Sequence, residues 1–424
     1  MAGTLTRRTL LGGAAGAAAL GALGAVTAAS ARAADDLRVY VLVVDGCRPD
    51  EAAGAYLPTV RELAAQGTSY TQARSISVAE TIPNHVAMMT GVHPDRSGVP
   101  ANSVFDRARG EVRDLGEATD LLAPTLLDRL PAELGLATAS VLSKDYLFGV
   151  FGERASVRWT PEPMLPITDH APDVFTIGAA LDVISEHDPA LMFVNLGDVD
   201  RFGHADLSGS SLRLLRTLAL IDTDAQLSRF VSRLQRDGRW ERSVVILLSD
   251  HSMDWSLPLS LINLAGRLDD DPLLDGNVAI AQNGGADLLY WTGPAESRGE
   301  AIVHMRQIAQ ATPGVLSVHD PVELRLGTNA GDVVVFAKAG WRFTDPSVIS
   351  NPIPGNHGHP ATEQIPFVIS GGHPMVRRGQ VSSAPVRTLD VAPTVAELFG
   401  LPAPEGGWDG QARMDAFQGA LVRG

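Results

Sequence analysis

Residues 37–44 read L-R-V-Y-V-L-V-V, a nearly unbroken apolar, β-branched run that stops at Asp45-Gly46. Such a run is a strand buried on both faces, which calls for a parallel sheet covered by helices above and below. Three further runs repeat the pattern. They are residues 137–142 before Ser143-Lys144-Asp145, 191–196 before Asp198 and Asp200, and 244–248 before Asp250-His251. In open α/β sheets, ligands bind beyond the carboxyl ends of the strands, so the polar residues after these runs should share one edge. Helical stretches are expected between the strands, at residues 57–66, 125–130, 175–186 and 211–236. The alternation predicts an α/β fold with a doubly wound, mainly parallel sheet flanked by helices.

The first 33 residues stand apart. Thr6-Arg7-Arg8-Thr9-Leu10-Leu11 is a twin-arginine pattern, followed by an Ala/Gly/Leu run and a small-residue cleavage site at Ala31-Arg32-Ala33. The expectation is export by the twin-arginine route to the cell envelope or medium, with no stable membrane span after cleavage. The remaining 391 residues exceed the usual size of one compact domain. They carry 31 basic and 49 acidic side chains, a net charge of −18. That acidity argues against a nucleic-acid polymer as partner, though not against a small phosphorylated substrate. Cys47 is the single cysteine, so no internal disulfide can form. Next to Asp45 it invites a nucleophile reading, but a small buried residue just past a strand is the better one.

The segment 255–351 changes character. Strands are expected at 286–291, 315–318 and 332–337 and a helix at 296–311, and none ends in a convincing ligand motif. It reads as an inserted α+β cap, where selectivity often resides, within a catalytic core of residues 34–254 and 352–424. The core should close with a strand at 365–370 and a helix at 392–399.

Four separated motifs carry the chemistry: Asp45-Gly46-Cys47-Arg48, Asp200-Arg201-Phe202-Gly203-His204, Ser249-Asp250-His251 and Gly355-Asn356-His357-Gly358. Oxygen and nitrogen ligands drawn from distant loops are what two divalent metals about 4 Å apart require. Any one pair alone is weak, since Asp198 competes with Asp200 and His359 with His357. Four such motifs at strand ends and glycine-rich turns are hard to explain as solvated charge. Thr81, in E-T-I-P-N-H, opens an expected helix, where free N–H groups favour a phosphoryl oxygen and a bound cation would activate the hydroxyl. Its bland alternative is a helix cap. Asn84, one turn on, could donate to a non-bridging oxygen. Lys144, one of two lysines, follows a strand at the same edge and could meet phosphoryl oxygens directly or through water.

Taken in order, these motifs resemble those of the type I phosphodiesterase/nucleotide pyrophosphatase group of the alkaline phosphatase superfamily. The resemblance also covers Thr81-Ile82-Pro83-Asn84, Thr90-Gly91 with His93-Pro94, and Asp390-Val391-Ala392-Pro393-Thr394. It implies an alkaline phosphatase-like core and two zinc ions. Asp200, His204 and His357 would hold one; Asp45, Asp250, His251 and the Thr81 oxygen would hold the other. Thr81 would be the nucleophile that forms a phospho-threonine intermediate. Ser252 replaces the usual glycine after S-D-H. Lys144-Asp145-Tyr146 keeps the first basic residue of the K-D-R or K-D-K run found in phosphomonoesterase and phosphonoacetate hydrolase relatives, but not the second. Phosphodiester or pyrophosphate hydrolysis is therefore expected, with monoester or phosphonate hydrolysis as the alternative. A sulfatase is disfavoured by the absence of a Cys-x-Pro-x-Arg run. A metal-binding relative without turnover is the alternative of a different class.

Overall fold

The computed structural model describes residues 36–166, 168–205, 213–347 and 349–419. The twin-arginine leader lies outside the described residues. The central sheet contains β1 (Arg38–Val44), β2 (Thr68–Arg74), β3 (Thr138–Leu142), β4 (Val157–Trp159), β5 (Leu191–Leu196) and β6 (Ser243–Leu248). A second sheet follows, made of β7 (Val278–Asn283), β8 (Ala286–Trp291), β9 (Val315–His319) and β10 (Val333–Ala337). The chain then returns to the central sheet with β11 (Phe367–Ser370) and β12 (Gln380–Arg387).

The central order is β12-β2-β11-β6-β1-β5-β3-β4. Its strands run parallel except β11, which is antiparallel to both β6 and β2. Alternate residues of β1 enter opposite cores: Val39, Val41 and Val43 one, Tyr40, Leu42 and Val44 the other. This is why its sequence is apolar at successive positions rather than at every second one. The first core is closed by α2 (Thr81–Thr90), α3 (Leu126–Leu134), α4 (Asp145–Phe151) and α9 (Val391–Phe399). The second is closed by α1 (Pro58–Ala65), α5 (Asp173–His187) and α7 (Arg213–Arg236).

Three strands of the central sheet lack the apolar signature and were not expected. β2 and β12 are half-exposed, and β12 also carries Pro385 at a register shift; β4 has only three residues. All three lie in the outer positions of the sheet, where an all-apolar strand would invite pairing with another chain. The second sheet is antiparallel, with α8 (Arg298–Ala311) on one face. Its other face, through Ala281, Leu288, Tyr290, Val334 and Phe336, joins the first core of the central sheet. The insertion is thus fused to the core rather than tethered to it. No helix among the described residues is long and apolar enough to cross a membrane.

Candidate metal centre

The strands β6, β1, β5 and β3 are contiguous and parallel, so their carboxyl ends lie side by side. From them leave Asp250-His251, Asp45, the short helix α6 (Asp198–His204) and Lys144, respectively. Gly46 adopts φ +70°, and a side chain there would press on the Asp200 Cα at 3.1 Å; glycine lets the turn after β1 approach α6. His357 arrives from the returning chain. Its neighbour Gly355 lies so close to the Gly203 carbonyl that no side chain fits between them.

Two groups of buried ligand atoms result, Asp45/Asp250/His251 and Asp200/His251/His357, each within 4.8 Å. His251 is common to both, whereas the resemblance implied a place in one. His204 completes the second group: its Nε2 lies 3.1 Å from His357 Nε2 and 3.3 Å from Asp200 Oδ1.

Each carboxylate has one oxygen held and one without a partner. Asp45 Oδ2 accepts from Asn195 Nδ2 at 2.7 Å and Lys144 Nζ at 2.8 Å, and Asp200 Oδ2 accepts from Lys144 at 2.7 Å. Asp250 Oδ1 accepts the Gly46 N–H at 3.1 Å. The opposite oxygens, Asp45 Oδ1, Asp200 Oδ1 and Asp250 Oδ2, are buried without a hydrogen bond. The histidines follow the same logic. Their Nδ1 atoms face backbone carbonyls: Gly355 at 2.9 Å for His204, Ser252 at 2.9 Å for His251 and Ala79 at 3.2 Å for His357. Each Nδ1–H can donate there, which turns the Nε2 lone pair inward. Three orphaned carboxylate oxygens and three inward imidazole nitrogens are a donor set suited to divalent cations.

The electrostatics agree. Burial, reinforced by Asp45, lifts the Asp250 carboxyl well above its ordinary range. Burial also opposes ionisation of Asp200, but Lys144 and the neighbouring histidines prevail and hold it well below. Burial, then the proximity of His251 and His204, keeps His357 neutral.

Thr81 is the first residue of α2, not its cap, which is Glu80. Its hydroxyl is buried at the edge of this centre, 3.2 Å from His251 Nε2. The Glu80 carboxyl, pushed up to about 8 by burial, accepts the Asn102 N–H at 2.7 Å. Asn102 Oδ1 in turn accepts the Ile82 N–H at 2.8 Å, fastening a neighbouring loop to the start of α2.

Two expectations are corrected. Asn84 has no donor left for substrate: Nδ2 donates to the carbonyls of Glu80 (2.9 Å) and Val78 (3.2 Å). Its Oδ1 accepts from Ile76 N (3.0 Å) and Thr388 Oγ1 (2.9 Å), so Asn84 is a buried brace. Half-buried Asn102 is the amide beside Thr81, and nothing in its sequence context singled it out. Lys144 lies fully buried between the outer oxygens of Asp45 and Asp200, which take its ammonium in place of the phosphoryl contact expected of it. Two carboxylates at its strand end outcompete an open cleft for the ammonium.

Both open alternatives resolve by geometry. Asp198 turns away to His170 Nε2 at 2.6 Å, and His359 to Asp254 at 3.0 Å. Cys47 is buried, and burial pushes its thiol up, which makes it inert. Ser252 bonds the Gln364 carbonyl and leaves both preceding ligands in place. Asn195 and His85 were missed. Asn195 Nδ2 donates to Asp45 and, at 3.0 Å, to His85 Nε2, while His85 Nδ1 donates to the Thr81 carbonyl at 2.8 Å. The signal was available: an asparagine inside an otherwise apolar buried strand needs a polar partner.

A cavity of about 400 Å³ lies elsewhere, lined by Phe105, Arg107, Arg113 and Tyr290 among others. Its cations are already paired, Arg107 with Asp332 behind the wall at 3.0 Å and Arg113 with Asp120 in the wall at 2.5 Å. The candidate ligand groups lie at the strand ends instead.

Comparison with known proteins points the same way. The family described as type I phosphodiesterase / nucleotide pyrophosphatase matches residues 39–359. Bis(5'-adenosyl)-triphosphatase ENPP4 of Bos taurus is 22% identical, over 90% of this chain and 82% of its own length. The human ectonucleotide pyrophosphatase/phosphodiesterase family member 5 is also 22% identical, over 92% and 80%. Among solved structures, inactive murine ENPP5 in complex with AMP superposes with a TM-score of 0.75 at 18% identity, covering 90% of this chain and 100% of that one. Phosphonoacetate hydrolase from Sinorhizobium meliloti, in complex with phosphonoformate, gives 0.64 at 18% identity, covering 86% and 95%.

Proposed function

We propose a specific reaction for this chain, which belongs to the type I phosphodiesterase/nucleotide pyrophosphatase family and is a metal-dependent hydrolase of phosphoric esters: cleavage of a phosphodiester or pyrophosphate bond through a phospho-threonine at Thr81. The observation that carries it is the trio of orphaned carboxylate oxygens facing inward beside a single buried hydroxyl. Asp200, His204 and His357 would hold one divalent ion, and Asp45, Asp250 and His251 with the Thr81 oxygen a second; zinc suits this mixture of imidazole and carboxylate. Bound there, such ions supply Lewis-acid stabilisation of the attacking and leaving oxygens and lower the pKa of a ligated hydroxyl.

The rest falls to the chain itself. Thr81 Oγ1 attacks phosphorus; the new P–O bond forms as the bond to the leaving oxygen breaks in line. Water then displaces the threonine oxygen, returning it and releasing the phosphorylated product. The N-terminus of α2 holds Thr81 and directs positive potential toward the reacting group. Asn102, fixed by Glu80 and Ile82, offers its amide to a non-bridging oxygen. Lys144 acts through Asp45 and Asp200, fixing the two ligands from behind. In murine ENPP5 the inactive form carries a threonine-to-alanine substitution, the same residue type as the nucleophile proposed here.

Thr81→Ala should lower turnover of a chromogenic diester at least about a thousandfold, with metal content by elemental analysis retained. Substantial activity in that variant would refute the assignment. A second reading, monoester or phosphonate hydrolysis, draws on the shared fold with phosphonoacetate hydrolase. Rates on bis-p-nitrophenyl phosphate and p-nitrophenyl phosphate decide between them. Export by the twin-arginine route belongs to the same proposal; retention of the full chain in the cytoplasm of a host with that route intact would remove it.

A further inference from the structure

Arg201 sits one residue after Asp200 and three before His204 on α6, so it borders the helix face that carries both ligands. Its guanidinium lies over the Tyr146 ring at 5.7 Å, and the same ring faces the Lys144 ammonium at 5.9 Å. A 3.4 Å hydrogen bond joins Arg201 to the Tyr146 hydroxyl, while its Nε is buried with no partner. Among the described residues it forms no ion pair. Asp45 and Asp200 sense its charge, but Lys144 already bridges their outer oxygens and their inner ones face the centre. Asp169, the other acid that acts on it, is exposed and beyond ion-pair distance. Arg216 shows the contrast: more deeply buried than half-buried Arg201, it is clamped by both oxygens of Glu51 at 2.7 Å.

A half-buried arginine without a carboxylate, beside a centre built to gain further positive charge, is costly unless an anion joins it. Its planar fork matches two oxygens of a phosphoryl group. We propose that Arg201 is a specificity-determining residue that binds a second anionic group next to the reacting phosphorus, the neighbouring phosphate of an anhydride. The arginine thus supplies, from α6, a cation that Tyr146 does not supply from its own position after Lys144-Asp145. This inference rests on the reaction proposed above, and it names which of that reaction's substrates the site prefers.

The test uses two substrates with the same nucleoside and the same reacting phosphorus: ATP and the p-nitrophenyl ester of adenosine 5'-monophosphate. The departing arm is charged in one and uncharged in the other. In metal-loaded protein, Arg201→Gln should lower kcat/KM for ATP about ten- to a hundredfold more than for the nitrophenyl ester, mainly through KM. Arg201→Lys should recover part of that difference. Equal losses on both substrates would assign Arg201 to holding Tyr146 in place and overturn the inference. Failure of the wild-type protein to turn over either substrate would instead sink the reaction itself. Binding keeps the two apart: inorganic pyrophosphate titrated calorimetrically into Thr81→Ala protein should bind about tenfold more weakly, or worse, when Arg201→Gln is added. Unchanged affinity would also overturn the inference.

Discussion

Polar atoms in this centre are either satisfied or aimed. Asp45, Asp200 and Asp250 each bond outward through one oxygen and leave the other bare toward the centre. Such one-sided anchoring fixes ligand direction before any ion arrives. Asn195 carries much of it, donating to both Asp45 and His85. Asn195→Ala should therefore weaken metal binding about 10- to 100-fold, read by competition with a chromophoric chelator, while far-UV circular dichroism stays native. Unchanged affinity would mean that Asp45 needs no support. Asn84 predicts a different phenotype. In Asn84→Ala the Ile76 N–H and the Thr388 hydroxyl lose their acceptor, the Glu80 and Val78 carbonyls keep only backbone donors, and the penalty should be about 3 kcal/mol in denaturant unfolding. Refolded, metal-loaded variant should keep a normal dependence of rate on metal concentration; a selective loss of turnover without loss of stability would restore Asn84 to the reaction.

Among the elements, strands with one environment on both faces were legible and those with two were not. β1, β5 and β6 are buried at nearly every position, so composition alone exposes them. β2 and β12 alternate between core and solvent and contain serine, threonine, glutamine and proline, which read equally well as loop. The second sheet holds a feature that sequence cannot show. Asp287 on β8 is fully buried with neither oxygen bonded to a donor, and it faces Asp345. A proton on Asp287 lets it donate to Asp345, and burial followed by the Asp345 charge holds its carboxyl well above the usual range. The folded chain then binds this proton more tightly than the unfolded chain. Its contribution favours the fold below the ordinary carboxylate pKa, about 4, and is lost as pH rises through the elevated value. Asp287→Asn, which keeps a donor at every pH, should gain stability over wild type at pH 8 more than at pH 5. Thermal unfolding at the two values checks this, and an equal difference at both would contradict it.

For the molecule as a whole, the centre is where sheet, helices and returning chain meet, so ligand binding and folding are linked. Its carboxylates repel one another across buried space, with Lys144 the cation between two of them. A divalent ion at one hundred times its dissociation constant should stabilise the fold by about 2.7 kcal/mol. Adding zinc to chelator-treated protein should accordingly raise the unfolding temperature, and an unmoved transition would deny the linkage. By itself, the order of residues determined the buried parallel strands, the polar residues at their ends, and the family, because burial on two faces leaves a one-dimensional mark that needs no partner to be read. The tertiary structure decided which way Asp198 and His359 turn, away to His170 and Asp254, and that Asn84 is a brace while Asn102 lies beside the start of α2. Those choices depend on which way a side chain leaves its loop and which donor it meets across the sheet, and contacts between residues far apart in sequence have no local signature.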